Sequence, residues 1–155
     1  MAGSKTMTWI LIADGEHARV VVPAAHQQFR TISSLDSTMA HRRSADLGAG
    51  EPGRSYESAN PARHAIEPKT DPHRMAKQEF VRYLAEQMDA AAAAGQYDRL
   101  VLVAPAHALH DLREALGQES LARLDGTLGK DLVKVADADL GGHLEAFWHA
   151  PAAAA

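Results

Sequence analysis

The sequence predicts a single layered α/β domain, and three observations carry that reading. The chain opens with strand-like runs joined by turn signals. A strongly periodic amphipathic helix stands after residue 71. An unbroken apolar run, Leu100-Val101-Leu102-Val103, follows it. Together they predict an antiparallel β-meander, then α-β-α-β-α on a mixed sheet, with the helices burying their apolar faces on that sheet.

The elements follow in order. Thr8–Ala13 (TWILIA) is a β-branched apolar run, and residues 18–22 (ARVVV) are a second. Asp14-Gly15 between them is a hairpin signal, with Glu16 and His17 lengthening the loop. Pro23 is expected to end the second strand, because proline cannot donate to a ladder. Residues 29–33 (FRTIS) alternate and give a third strand. Residues 39–72 then show neither strand nor helix period and hold Gly48, Gly50, Gly53, Pro52, Pro61, Pro68 and Pro72. They read as one long loop. Structureless connections of that length inside a domain are usually functional or disordered.

Asp71 is a good N-cap and Pro72 suits the first helical position. Ala76, Phe80, Leu84 and Met88 then repeat every four residues, predicting a helix over 72–94 that stops at Gly95. The run at Leu100–Val103 lacks alternation, as a strand covered on both faces does, and is placed centrally in the sheet. Residues 107–116 form a second helix through Leu109, Leu112 and Leu116, with a short helix possible at 119–124. A last strand is expected at 130–135. Asp137 then caps a final helix over 138–149, packed through Leu140, Leu144, Phe147 and Trp148.

The 155 residues fit one core, and an apolar content of 46% excludes wholesale disorder. Residues 1–7 read as a disordered leader, 8–149 as the domain and 150–155 as a disordered tail. No signal peptide is legible, and the first apolar run is too short to cross a membrane, so the expected compartment is the cytoplasm. With no cysteine there is no disulfide framework, thiol nucleophile or thiolate metal site. A formal charge of −4 argues against nucleic-acid binding by bulk electrostatics, while leaving room for a local basic patch.

The long loop is the leading functional candidate. Gly53-Arg54-Ser55-Tyr56 sets a guanidinium, a hydroxyl and an aromatic ring beside flexible backbone, a set suited to phosphate and base contact. Arg63-His64 adds basic character, and His64 is also a candidate general base. Arg54, Arg63 and Glu67 serve equally well as residues that pin the loop to the domain. The segment's acids nearly balance its cations, which weakens non-specific attraction. Asp14 ends the first strand where a nuclease would hold a metal ion, with Asp131 as its loose partner. A hairpin turn residue is the competing role for Asp14. His107 and His110, three apart, have no further ligand at a recognised spacing. No metal or cofactor is therefore expected. No nucleophile elbow, phosphate loop or dinucleotide fingerprint is present.

Several local words are more specific than the topology. They are Trp9-Ile10-Leu11-Ile12-Ala13-Asp14-Gly15, Ala18-Arg19, Pro52-Gly53-Arg54-Ser55 and Arg63-His64-Ala65-Ile66-Glu67-Pro68. The strand Asp98-Arg99-Leu100-Val101-Leu102-Val103-Ala104-Pro105 and Gly129-Lys130-Asp131-Leu132 follow. In that order, over residues 8 to about 148, they resemble the bacterial host attachment protein family, "required for attachment to host cells". That family is in turn similar to the middle domain of archaeal and eukaryotic peptide-chain release factors, which is RNase-H-like and carries Gly-Gly-Gln in its long loop. Here the loop has no Gly-Gly-Gln, and the one Gly-Gly of the chain, Gly141-Gly142, precedes His143. The resemblance implies a fold and a loop position, not release activity.

The sequence is thus read as a binding protein rather than an enzyme, engaging RNA or a ribosome-associated partner through residues 39–72. The contacts would be Arg54, Ser55, Tyr56, Arg63, His64 and Glu67. A protein-interaction factor for attachment, without nucleic-acid contact, is the second reading. A hydrolase using His64 or Asp14 is the third. Oligomeric state is left open.

Overall fold

The computed structural model describes residues 6–49 and 71–149. At its centre lies a five-stranded mixed sheet in the order β3-β2-β1-β4-β5. The strands are β1 (Thr8–Ala13), β2 (His17–Ala24), β3 (Gln28–Asp36), β4 (Arg99–Val103) and β5 (Leu124–Leu128). β1 pairs antiparallel with β2 and parallel with β4; β2 pairs antiparallel with β3, and β4 parallel with β5. Only β2 therefore runs against the other four.

β1 and β4 lie inside the sheet and are covered on both faces. Ile10, Leu11 and Ile12, and Leu100 to Val103, have no exposed surface. That is the physical reason the β4 run lacks alternation. Side chains leave a strand on alternate faces, so each strand feeds two cores. Leu11, Val20, Leu35, Leu100 and Leu102 pack under the helices. Ile10, Ile12, Val21, Phe29, Val101 and Val103 pack under the C-terminal segment, with Leu132, Leu140 and Leu144.

The helical layer holds α1 (Ser37–Ala49), α2 (Pro72–Ala93), α3 (Ala106–Ala115) and the short α4 (Gln118–Ala122). α2 starts as its sequence predicts. Asp71 caps it, its side chain accepting from the His73 amide, and Pro72 stands in the first turn. Phe80, Leu84 and Met88 are buried, each worth about 1.5–3 kcal/mol of apolar transfer. Ala76, expected on the same stripe, is exposed, because α2 extends beyond the sheet at its N-terminal end. Gly95 takes a left-handed φ of 71°, the conformation a helix C′ residue needs.

Four expectations need correction. Residues 39–49 are not loop. They belong to α1, whose entry is fixed by the Asp36 side chain accepting from the Met39 amide at 2.9 Å. Ala40 alone is buried among the helix's described side chains, so no apolar stripe marks it. The last strand is Leu124–Leu128, not 130–135. It passes unnoticed in the sequence because Asp125 and Gly126 are poor strand residues. Gly126 is required there, since a Cβ would stand 2.7 Å from the ring of Phe147. Leu132 leaves the sheet edge to cover its face. The expected final helix breaks into a 3₁₀ turn (Asp137–Asp139), one α-turn, α5 (Gly141–Leu144), and a second 3₁₀ turn (Glu145–Phe147). Finally, β2 continues through Pro23 to Ala24, and β3 spans nine residues with a bulge at Ile32.

Candidate functional site

Arg54, Ser55, Tyr56, Arg63, His64 and Glu67 lie outside the described residues. Both flanks of that stretch are described, and both belong to the helical layer. α1 enters it and Asp71 leaves it into α2. The two helices pack together through Ala40. His41 Nδ1 lies 3.5 Å from Glu79, and Arg43 Nε lies 3.9 Å from Glu86. Later residues of α1 meet later residues of α2, so the helices run in the same direction. Arg42, Arg74, Lys77 and Arg82 are exposed and make no ion pair among the described residues. Met39, Leu47 and Met75 are exposed large apolar side chains on the same two helices. The outer surface of α1 and α2 thus presents unpaired cations and apolar groups among the described residues.

Asp14 closes the β1–β2 turn. Its Oδ1 accepts from the amides of Glu16 (2.8 Å) and His17 (2.7 Å), and its own amide donates to the His17 carbonyl. A carboxylate placed this way folds back on local backbone, as Asx turns do. Asp131 is exposed beyond the end of β5. The parallel course of β1, β4 and β5 puts both acids at one edge of the sheet. Among the described residues, however, no three His, Asp or Glu side chains gather as a metal site.

The densest polar cluster among the described residues centres on Arg19 and on Asp137, expected as the cap of a final helix but lying inside the first 3₁₀ turn with its carboxylate pointed at the sheet instead. Arg19, on β2, reaches into the C-terminal segment. Nη1 donates to Asp137 (3.0 Å) and to Thr31 Oγ1 (3.3 Å), and Nη2 to the carbonyls of Leu132 (2.8 Å) and Val135. Asp137 also accepts from the Thr31 amide (2.9 Å) and hydroxyl (2.6 Å). Burial is the strongest influence on the Asp137 carboxyl and opposes ionisation. The two bonds from Thr31, then the charges of Arg19 and Arg30, together outweigh it and hold the carboxyl below its ordinary range. Burial lowers the pKa of the Arg19 guanidinium, and Asp137 partly offsets this. The cluster ties the C-terminal segment to the sheet. Its sequence signal is faint: an arginine between apolar residues in a buried strand.

Comparison with known proteins adds three findings. A family model described as "Protein required for attachment to host cells" matches residues 9–144. No curated protein matches the sequence. Among nine matching chains of known structure is one described as an archaeal protein. It aligns with 92% of this chain at 12% identity and a TM-score of 0.46, and this chain spans 37% of its length. Among the described residues, no helix is long and apolar enough to cross a membrane.

Proposed function

The chain belongs to the family of proteins required for attachment to host cells, and from that premise we propose that it serves attachment as a binding domain rather than an enzyme. Its partner on this reading is RNA or a ribosome-associated protein, met by the helical layer and residues 39–72. The observation that carries the reading is the local charge of α1 and of α2 as far as Glu86. There Arg42, Arg43, Arg74, Lys77 and Arg82 stand against Asp46, Glu79 and Glu86, in a chain whose formal charge is −4. Exposed cations on the two helices that flank, in sequence, a segment holding Arg54, Ser55, Tyr56, Arg63 and His64 suit phosphate contact first and base contact second.

The same reading takes the fold as RNase-H-like and related to the release-factor middle domain. Its support is a five-stranded sheet in which β2 alone is reversed, and helices that follow the meander. The protein would then work in the cytoplasm, with attachment as a downstream effect.

Met39, Leu47 and Met75 favour a second reading, a protein partner gripped through apolar contact. Co-sedimentation with ribosomes across a salt series separates the two. Loss of pelleting on Arg42→Glu with Arg74→Glu, and on Arg54→Ala with Arg63→Ala, together with a steep salt dependence, supports the first. Free migration of the intact protein sinks it.

A further inference from the structure

The opposite side of the sheet holds a cleft of about 570 Å³ between the β2–β3 connection and the C-terminal turns. That volume falls in the range of small-molecule sites. Its walls include His26, Gln27, Gln28, Gly142, Glu145 and Trp148. Three features mark it as more than a surface dent.

First, His26 and Gln27 both take left-handed backbone, with φ of 60° and 59°. Two successive non-glycine residues in that region are unusual, and such outliers persist where the surroundings enforce them, often beside a ligand. Second, the Trp148 indole N–H donates to the Ala24 carbonyl at 2.9 Å, which fixes the half-buried ring. Third, the two glycines of the C-terminal wall differ in the room beside them. A Cβ on Gly141 would stand 3.3 Å from the Gln27 carbonyl oxygen, whereas one on Gly142 meets nothing within 4 Å.

The lining narrows the ligand class. Two primary amides each donate and accept, as vicinal hydroxyl groups do in return. Glu145 accepts from paired hydroxyls, and the indole, its N–H already bonded to Ala24, offers a flat apolar face. Among the described residues, no lysine or arginine lines the cleft. A phosphate would therefore face the Glu145 carboxylate with only the His26 imidazole to offset it. We propose that this cleft is a binding site for a neutral saccharide of one or two rings, with Trp148 as the platform and Gln27, Gln28 and Glu145 as hydroxyl partners. The inference does not depend on RNA binding, because α1 and α2 lie across the sheet from the cleft.

Saturation-transfer NMR on the full chain tests it. The probes are glucose, galactose, N-acetylglucosamine and their disaccharides, with nucleoside monophosphates as the competing class. The expected result is saturable transfer to the C–H protons of at least one sugar. Gly142→Leu, whose Cβ would meet nothing within 4 Å, should weaken binding about tenfold or more, while Gly142→Ala leaves it within about twofold. An unchanged thermal transition for both variants separates loss of binding from loss of fold. Absence of saturable transfer from every sugar overturns the proposal. Equal binding by Gly142→Leu, or tighter binding of a nucleoside monophosphate, does so too.

Discussion

Arg19 and Asp137, 118 residues apart in the chain, meet at 3.0 Å, and their contact closes the C-terminal segment over the sheet. Arg19 is mostly buried, its side chain 12% exposed, whereas Asp137 is 40% exposed. The arginine also satisfies the carbonyls of Leu132 and Val135. Removing it takes the side-chain donor from the Val135 carbonyl and one donor each from the Leu132 carbonyl, which keeps the Val135 amide, and the Asp137 carboxylate, which keeps its two bonds from Thr31. Arg19→Met is therefore expected to cost about 2–4 kcal/mol, as an orphaned buried polar group costs roughly 1–3 kcal/mol. Asp137→Asn should cost less, and the double variant less than the sum, because the two residues share one network. Urea unfolding of the four proteins measures this; strict additivity would disprove the coupling.

The Asp137 carboxyl also sets an acid limit. Its folded pKa lies below the unfolded value of about 4. The folded state then holds the proton less tightly than the unfolded chain does. The contribution is fully present above about pH 4 and is lost as pH falls toward the folded pKa. Asp137→Asn should flatten the pH dependence of the urea midpoint in that acid window and leave its shape unchanged near neutrality. A parallel offset at all pH values would show that the carboxylate's charge is not what matters.

His26 stores backbone strain that glycine would release. A left-handed conformation costs a non-glycine residue about 1–2 kcal/mol, and part of the gain returns as the greater freedom of glycine in the unfolded chain. His26→Gly is expected to be neutral or to stabilise by up to about 1 kcal/mol, raising the midpoint by roughly 2–4 °C for a chain of this size. Calorimetry decides it, and a clear loss of stability would mean that the imidazole makes a structural contact of its own.

Gly126 should resist any side chain. A Cβ at this position would lie 2.7 Å from Phe147 Cε1, so Gly126→Ala must displace a ring that packs on the second core. Overpacking of this kind costs about 1–3 kcal/mol. Phe147→Leu in the same chain should restore much of the loss, since a shorter side chain clears the contact. Gly129→Ala, which meets nothing within 4 Å, is the control and should change little.

Much of this was legible where local signals agreed with burial. Asp71-Pro72 gave the start of α2, Gly95 its end, and Leu100–Val103 the interior place of β4. The misses share a cause. α1 is held by one small side chain, Ala40, so apolar periodicity is silent there. β5 is disguised by Gly126, whose presence answers to Phe147, a partner far along the chain. The Arg19–Asp137 contact is likewise long-range, and no spacing rule reaches it. Asp14, weighed as either metal ligand or turn residue, makes the turn contacts.

The weak hold on α1 yields the last prediction. Because Ala40 alone is buried among the described side chains of α1, the helix should detach from α2 without global unfolding. Ala40→Glu forces a bulky carboxylate into a close helix contact, and burying that charge is costly. Local opening is the cheaper response in a segment with so few buried contacts. Amide hydrogen exchange should rise across residues 37–47, while β1, β4 and the middle of α2 keep their protection. If the helical layer carries the binding proposed for it, ribosome co-sedimentation should fall in the same variant. Retained pelleting with a detached α1 would confine binding to other residues. Exchange rising throughout the core would show instead that α1 is integral to the fold.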